Sequence, residues 1–168
     1  KGGIHILTDQ VRGPDDDNPN GYFEYEPVKN MVTDPTWLMD IDDATGVKII
    51  SHLLPYLPKE KNYKVLFILR ALDEVLSSQR KMLERIGKPV HEQAENDLAR
   101  KFQDHLYSIR LWLSRQKNLE CLFLQFTDVI NKPLVNASKI ETFIGKPCDI
   151  LAMASVVDKG LYRNRSIK

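Results

Sequence analysis

An arginine that directly follows an apolar segment is the first residue whose position suggests chemistry. The segment 63–69, "YKVLFIL", is nearly all apolar, which is typical of a strand covered on both faces. Arg70 comes next, and Ser78 lies eight residues later in a segment with helical periodicity. A guanidinium offers planar donors suited to phosphate or sulfate, and Ser78 adds a hydroxyl. The pattern indicates an anion site, and it leaves open an ion pair between Arg70 and a carboxylate such as Asp73.

A histidine is the candidate for proton transfer. His52 follows the apolar segment "VKII" (47–50), which we predict to be a strand, and precedes the proline-containing segment "LLPYLP" (53–58). Because histidine exchanges a proton near neutral pH, His52 suits a base that accepts the proton of a hydroxyl or amine. The alternative is a histidine that packs or caps before the Leu-Leu-Pro turn.

Strands and helices are predicted to alternate along the chain, and they determine where these side chains lie. Apolar segments predict strands at 4–7, 47–50, 63–69 and 119–126. Amphipathic periodicity with proline and glycine boundaries predicts helices at 72–86, 92–117 and 133–145. The alternation predicts one α/β domain over residues 1–168, a parallel sheet with helices on both faces. Ligands of such sheets bind beyond the carboxyl ends of the strands. The residues expected at these ends are Thr8-Asp9, Ser51-His52, Arg70 and Thr127-Asp128.

Composition excludes several classes of function. A chain of 168 residues is long enough for one domain with a substantial core. The net charge of +1 provides no general field that would recruit nucleic acid or an anionic membrane, so neither is an expected partner. No apolar segment approaches the roughly 20 residues that a membrane-spanning helix needs. Cys121 and Cys148 form no CxxC pair, and we interpret them as reduced thiols of a cytoplasmic protein.

Several segments, in order, resemble the P-loop sulfotransferases that use 3′-phosphoadenosine 5′-phosphosulfate, especially their bacterial members. That family places an arginine at a strand end and a serine eight residues later, as Arg70 and Ser78 are placed here. "DDDNPNGYFEYEPV" resembles the family's Asn-Pro-x-Gly-Tyr/Phe loop, and "VKIISHLLPYLP" resembles its strand ending in Thr-His-Leu-Pro. "FLQFTDVINKPLVNASKIETFIG" resembles its C-terminal strand and helix.

The resemblance implies a P-loop NTPase/sulfotransferase-like fold and a metal-independent transfer of a sulfuryl group to an acceptor hydroxyl or amine. It implies that Arg70 and Ser78 bind the 3′-phosphate and that His52 is the base. Arg163 and Arg165 would close the 3′-phosphate site, with a solvated basic tail as the alternative. The acceptor, a small molecule, a glycan or a peptide, would lie against the loops 12–40 and 87–97. The sequence predicts neither its identity nor the oligomeric state.

Two departures from the family alter these expectations. The glycine-rich loop that wraps the 5′-phosphosulfate with backbone N–H groups has no counterpart, because the chain opens at "KGGIHILTD", which resembles the second strand of the family. We therefore expect this chain to lack the N-terminal strand, loop and helix, and by itself to hold the 3′-phosphate site without the site of sulfuryl transfer. The family's lysine two residues before the histidine is Ile50 here, so that contact is absent or supplied elsewhere.

Other functions stay open. A P-loop kinase would need a Walker-type loop, which the sequence lacks, and a magnesium-binding aspartate, for which Asp128 is the candidate. A non-catalytic nucleotide-binding or protein-interaction domain descended from such enzymes is another possibility, and the missing glycine-rich loop favours it. "DDNPNG" (16–21) matches the first half of a calcium loop, but Pro27 occupies the position of the bidentate glutamate. We favour an Asn-Gly turn for that segment.

Overall fold

A computed structural model describes residues 1–16, 18–85, 87 and 92–162 of the chain. The contacts between residues divide it into two compact units. The first unit is Gly3–Tyr63, and the second is Lys1–Gly2 with the residues from Lys64 onward. No helix in the described part of the chain combines the length and apolarity needed to cross a membrane.

The described residues of the first unit form one small parallel sheet and three 3₁₀ helices. Strands β1 (His5–Leu7) and β2 (Thr45–Val47) pair with His5 opposite Thr45. The 3₁₀ helices are Glu26–Asn30, Thr36–Asp40 and Ser51–Tyr56. The buried apolar side chains of the unit lie in these helices or directly after them, and they are Val28, Met31, Leu38, Leu54 and Leu57.

An aspartate at the end of β1 fastens the long loop that follows. Asp9 Oδ1 accepts a hydrogen bond from the Val11 N–H at 3.0 Å, and Asp9 Oδ2 accepts one from the Glu26 N–H. These backbone donors, the Glu26 N–H above all, hold the pKa of Asp9 below its usual value. The Asp9 carboxylate therefore ties both ends of the loop to the end of the strand.

The second strand was predicted at 47–50, and that prediction is wrong. Strand β2 begins at Thr45 and ends at Val47, and Ile50 is 61% exposed. The apolar letters "VKII" indicated a buried strand, but only Val47 belongs to the sheet. As a consequence His52 does not follow a strand directly; it lies in the 3₁₀ helix that starts at Ser51.

The second unit contains the other two strands and the five α-helices of the described residues. Strands β3 (Tyr63–Leu69, whose first residue belongs to the first unit) and β4 (Leu119–Gln125) are parallel neighbours. The helices are α1 (Leu72–Arg85), α2 (Glu92–Leu113), α3 (Phe126–Asn131), α4 (Pro133–Ile144) and α5 (Ile150–Ser155). These bounds confirm the predicted strands at 63–69 and 119–126 and the three predicted helices. Ile86, placed on the apolar face of α1 by its spacing, lies outside the described residues.

One expectation about β3 is wrong: its two faces are not equally covered. Phe67 is 8% exposed, whereas Leu66 and Ile68 are 38% and 48% exposed. Burial therefore alternates along the strand, as it does when one face packs and the other meets solvent. The sequence did not reveal the exposed face of β3, because apolar side chains occupy both faces of the strand. The described strands form two pairs, β1–β2 and β3–β4, and the P-loop sulfotransferase-like fold stays a prediction.

Helix α4 ends where the sequence places glycine. Gly145 adopts φ +73°, a left-handed conformation that favours glycine, and its N–H donates to Glu141 O at 2.9 Å. The Lys64 ammonium donates to Phe143 O at 2.8 Å and Ile144 O at 3.1 Å. A cation from β3 thus satisfies carbonyls at the negative end of the helix and attaches α4 to the sheet.

A bidentate ion pair connects α1 to α2. Arg80 donates through Nε to Glu95 Oε1 at 2.7 Å and through Nη2 to Glu95 Oε2 at 2.6 Å. The hydrogen bonds from Arg80 hold the pKa of Glu95 below its ordinary value of 4.5. The pair therefore stabilises the folded state above pH 4.5, and this contribution is lost as the pH falls through the lowered pKa.

We expect Arg80→Gln to lower the melting temperature by about 1–3 °C at pH 7, because an exposed pair contributes little even with good geometry. The difference in melting temperature between the variant and wild type should shrink as the pH falls through the lowered pKa of Glu95. Thermal melts followed by circular dichroism between pH 3 and pH 7 measure both effects. Arg100→Gln is the matched control, since Arg100 pairs with Asp97 of its own helix through a single contact at 3.1 Å. A decrease that is the same at every pH would contradict this assignment.

Candidate functional site

The carboxyl ends of β3 and β4 meet at one edge of their sheet. Arg70 directly follows β3, and Phe126 directly follows β4. The Arg70 Cζ lies 4.9 Å from the centroid of the Phe126 ring, a distance at which a cation is attracted to the ring face. Of the residues expected at the strand ends, Arg70 directly follows β3, as predicted. The residue in contact is Phe126, one position before the predicted Thr127-Asp128.

A buried glutamate binds the arginine. Arg70 Nε donates to Glu74 Oε2 at 3.2 Å, and the two side chains are 29% and 2% exposed. The ion pair that the sequence left open therefore exists, with Glu74 instead of Asp73. Asp73 accepts a hydrogen bond from the Glu74 N–H at 3.0 Å within the first turn of α1. A spacing of four residues brings Glu74 back to the side of Arg70.

A tyrosine from the far end of the chain binds the second oxygen of the same carboxylate. Tyr162 donates its O–H to Glu74 Oε1, across 88 positions of sequence. Its ring meets Phe126 edge to face, with centroids 5.5 Å apart and planes at 77°. We name Arg70, Glu74, Phe126 and Tyr162 the Arg70 cluster. Each of its members contacts two others, so the position of the guanidinium depends on all four.

The Arg70 cluster retains the capacity to bind an anion. A guanidinium carries five N–H donors, and the hydrogen bond to Glu74 uses the one on Nε. The Arg70 side chain is 29% exposed, so it is buried enough to be oriented and open enough to reach a ligand. The terminal nitrogens form the fork that binds phosphate or sulfate in a bidentate manner.

Ser78 lies on α1, half-buried, one helical turn beyond Glu74. The spacing of four residues places the two side chains on the same helix face. Its hydroxyl therefore extends the face that begins at Arg70 and Glu74. Its contact with an anion stays a prediction.

The other predicted site residues lie elsewhere. His52 is exposed, in the first turn of the 3₁₀ helix Ser51–Tyr56, and belongs to the first unit, whereas the Arg70 cluster belongs to the second. Arg163 and Arg165 lie outside the described residues. Asp128, the candidate magnesium ligand of the kinase alternative, is exposed in the first turn of α3. Within the described residues, no group of three or more histidine, cysteine or acidic side chains is arranged to hold a metal ion.

Sequence reasoning missed three members of the Arg70 cluster. Glu74 could have been found from its spacing of four residues after Arg70, which is a standard helical pairing distance. Phe126 could have been found as the last residue of the predicted strand 119–126, at the end of the strand where ligands are expected. Tyr162 has no such signal, because its contact depends on tertiary structure across 88 residues of sequence.

The first unit has a polar cavity of ≈ 290 Å³. Trp37 forms part of its wall, and the Trp37 ring meets Tyr25 edge to face at 5.2 Å. Lys29 and Glu26 form an ion pair at its rim, and this hydrogen bond raises the pKa of Lys29. The remaining lining residues are Pro27, Asn30 and Asp34. The cavity falls within the loop 12–40 that the sequence predicted on the acceptor side.

Comparison with known proteins adds one partial match. The model of a family described as the N-terminal segments of PfEMP1 matches residues 78–107, which run from α1 into α2. This is well under half of the chain, and it assigns no family. The curated proteins and the solved structures contain no match to this chain.

Proposed function

We propose that this chain belongs to a cytoplasmic sulfotransferase that uses 3′-phosphoadenosine 5′-phosphosulfate as donor, and that it supplies the site for the donor's 3′-phosphate. The observation that carries the proposal is the Arg70 cluster. An arginine at the carboxyl end of β3 lies over Phe126, is held through Nε by Glu74, and keeps its terminal donors for an anion. This is the edge of an α/β sheet at which ligands bind.

The donor's 3′-phosphate is the anion that we assign to this edge. A phosphate group accepts several charge-assisted hydrogen bonds at once, and the Arg70 fork matches it in a planar, bidentate manner. The Ser78 hydroxyl would add one donor from the next turn of α1. Because Glu74 already neutralises one charge, binding depends on the direction of the Arg70 donors more than on net positive charge.

The group transferred is already activated in the donor, so the reaction requires no metal. His52 would accept the proton of the acceptor hydroxyl or amine as that atom bonds to sulfur. The sulfur–oxygen bond to the leaving group breaks at the same time, and adenosine 3′,5′-bisphosphate departs with the bonding electron pair. The exposed position of His52 gives an acceptor access to the imidazole.

The acceptor class is suggested by the cavity of the first unit. Its wall combines the Trp37 ring with carboxylate, ammonium and amide groups. Such a mixture of one aromatic surface and many hydrogen-bonding groups suits a polar hydroxyl or amine compound, either a small molecule or part of a glycan or peptide.

A non-catalytic nucleotide-binding domain is the second candidate, and one residue favours it. Ile50 occupies the position where the resembling family has a lysine, and its side chain is 61% exposed. An exposed isoleucine offers no charge to a sulfuryl group in transfer. A protein with this substitution could retain the nucleotide and lose the chemistry.

Radiolabelled donor distinguishes the two candidates. The full-length protein is incubated with donor carrying ³⁵S and with a panel of hydroxyl and amine acceptors, while calorimetry measures binding of adenosine 3′,5′-bisphosphate. The sulfotransferase proposal predicts labelled acceptor and micromolar binding. Binding without labelled product for any acceptor would support the non-catalytic domain, and the absence of both would reject both candidates.

A further inference from the structure

We propose that Glu74 and Tyr162 are positioning residues that aim the Arg70 guanidinium at the 3′-phosphate of the nucleotide. This inference rests on the proposed function, and it assigns to Glu74 a role opposite to the one that its charge suggests. A carboxylate beside an anion site repels the ligand. The geometry of this carboxylate, which binds Arg70 through Nε, favours an orienting role.

The first step is the choice of the Arg70 atom that the Glu74 carboxylate binds. Glu74 Oε2 accepts a hydrogen bond from Arg70 Nε at 3.2 Å, and Nε is the guanidinium nitrogen nearest the Arg70 backbone. The Phe126 ring, 4.9 Å from Cζ, lies against the face of the same group. A contact at Nε together with a ring against the face restricts rotation of the guanidinium. The hydrogen bond to Glu74 uses the Nε donor, which leaves the donors of the two terminal nitrogens for a ligand.

The second step is the burial of Glu74. Its side chain is 2% exposed, and an ionised carboxylate so buried destabilises the fold unless it is fully partnered. Both oxygens are partnered, Oε2 by Arg70 and Oε1 by Tyr162. An apolar side chain of similar size would fill the same volume without that requirement. The presence of a carboxylate at this buried position is therefore explained by its contact with Arg70 and not by packing.

The third step is the role of Tyr162. Its hydroxyl holds the oxygen of Glu74 that does not bind Arg70, and its ring packs edge to face on Phe126. Tyr162 thereby restrains both groups that orient the guanidinium, from a position directly after the 3₁₀ helix Lys159–Leu161. Removal of the hydroxyl should loosen Glu74 without removing its charge.

The test compares two nucleotides that differ in the 3′-phosphate. Calorimetry gives the dissociation constants of adenosine 5′-monophosphate and adenosine 3′,5′-bisphosphate. The first constant divided by the second measures recognition of the 3′-phosphate alone. Glu74→Leu should lower this ratio at least about tenfold, because no acceptor remains for Arg70 Nε. Glu74→Gln should stay within about threefold of wild type, since its amide oxygen still accepts that hydrogen bond. Tyr162→Phe should lower the ratio by about threefold.

Arg80→Gln is the control variant, because Arg80 lies on the same helix and pairs with Glu95 away from the Arg70 cluster. It should leave the ratio unchanged. A variant that merely destabilises the protein would weaken both nucleotides equally, so the ratio separates positioning from stability. Folding of each variant is verified by thermal melts.

Each outcome decides the inference. A wild-type or increased ratio in Glu74→Leu would overturn it, because an increase means that the carboxylate acts by repulsion. An equal decrease of the ratio in Glu74→Gln and Glu74→Leu would also overturn the inference. Recognition of the 3′-phosphate would then depend on the charge of Glu74 and not on the hydrogen bond that orients Arg70. If Glu74→Leu does not fold, Tyr162→Phe decides, and an unchanged ratio there rejects the inference. A wild-type protein that binds neither nucleotide rejects the proposed function itself, and the inference with it.

Discussion

Replacement of His52 by alanine is expected to lower the turnover number for sulfuryl transfer by about 10²–10⁴-fold, the usual contribution of a positioned general base. The side chain is exposed, so its removal takes no apolar surface from the core of the first unit. The acceptor hydroxyl would then lose its proton to water, without a base held in place. Initial rates with ³⁵S-labelled donor at saturating concentration, measured for the full-length protein and for its His52→Ala variant, give the ratio of turnover numbers directly.

His5→Ala is the matched control, because His5 is an exposed histidine of the same unit and lies on strand β1. It should have the turnover number of wild type. The His52 variant should also retain wild-type affinity for adenosine 3′,5′-bisphosphate, since we assign nucleotide binding to the Arg70 cluster. A His52→Ala protein that transfers sulfate at the wild-type rate would remove His52 from the mechanism.

Truncation of Met31 is expected to have the largest effect on stability. Met31 is 0% exposed, and it is the largest fully buried side chain among the described residues. Met31→Ala should reduce the free energy of unfolding by about 2–5 kcal/mol, because apolar contacts are lost and a cavity remains. Urea unfolding followed by tryptophan fluorescence measures this change, since Trp37 belongs to the same unit.

Met39→Ala provides the comparison. Met39 belongs to the same unit and is 43% exposed, so its truncation should change the free energy of unfolding by no more than about 0.5 kcal/mol. Because both substitutions truncate a methionine of the same unit, the difference between their effects measures the contribution of burial. Equal effects of the two substitutions would show that Met31 does not lie in the core of the first unit.

Local sequence signals predicted most of the elements of the second unit. The proline at 133 and the glycine at 145 bound α4, and the change from a run of apolar residues to helical periodicity separates β3 from α1. These signals succeed because they act within a few residues of the element that they specify. They failed for "VKII", where three of four residues are apolar but Ile50 faces solvent.

The candidate site was predictable in part, for a similar reason. Arg70 could be placed at the edge of the sheet, because its location follows from the end of β3. The sequence indicated that the partner of Arg70 would be an acidic residue within one helical turn after it. A spacing of four residues, as for Glu74, suits that contact better than the spacing of three for Asp73. Tyr162 could not be predicted, since its contact with Glu74 closes a loop of 88 residues. Neither could the exposure of Leu66 and Ile68, which depends on which face of β3 the rest of the fold covers.

The central claim is that Arg70 binds the 3′-phosphate of a nucleotide. The most direct measurement is the calorimetric titration of adenosine 3′,5′-bisphosphate into wild type, Arg70→Ala and Arg110→Ala. Arg110 is the matched control because it also lies against an aromatic ring, 5.1 Å from the centroid of Phe123. We expect Arg70→Ala to weaken binding by about 10–100-fold and Arg110→Ala to bind like wild type. Wild-type affinity in Arg70→Ala would contradict the assignment of the 3′-phosphate to Arg70.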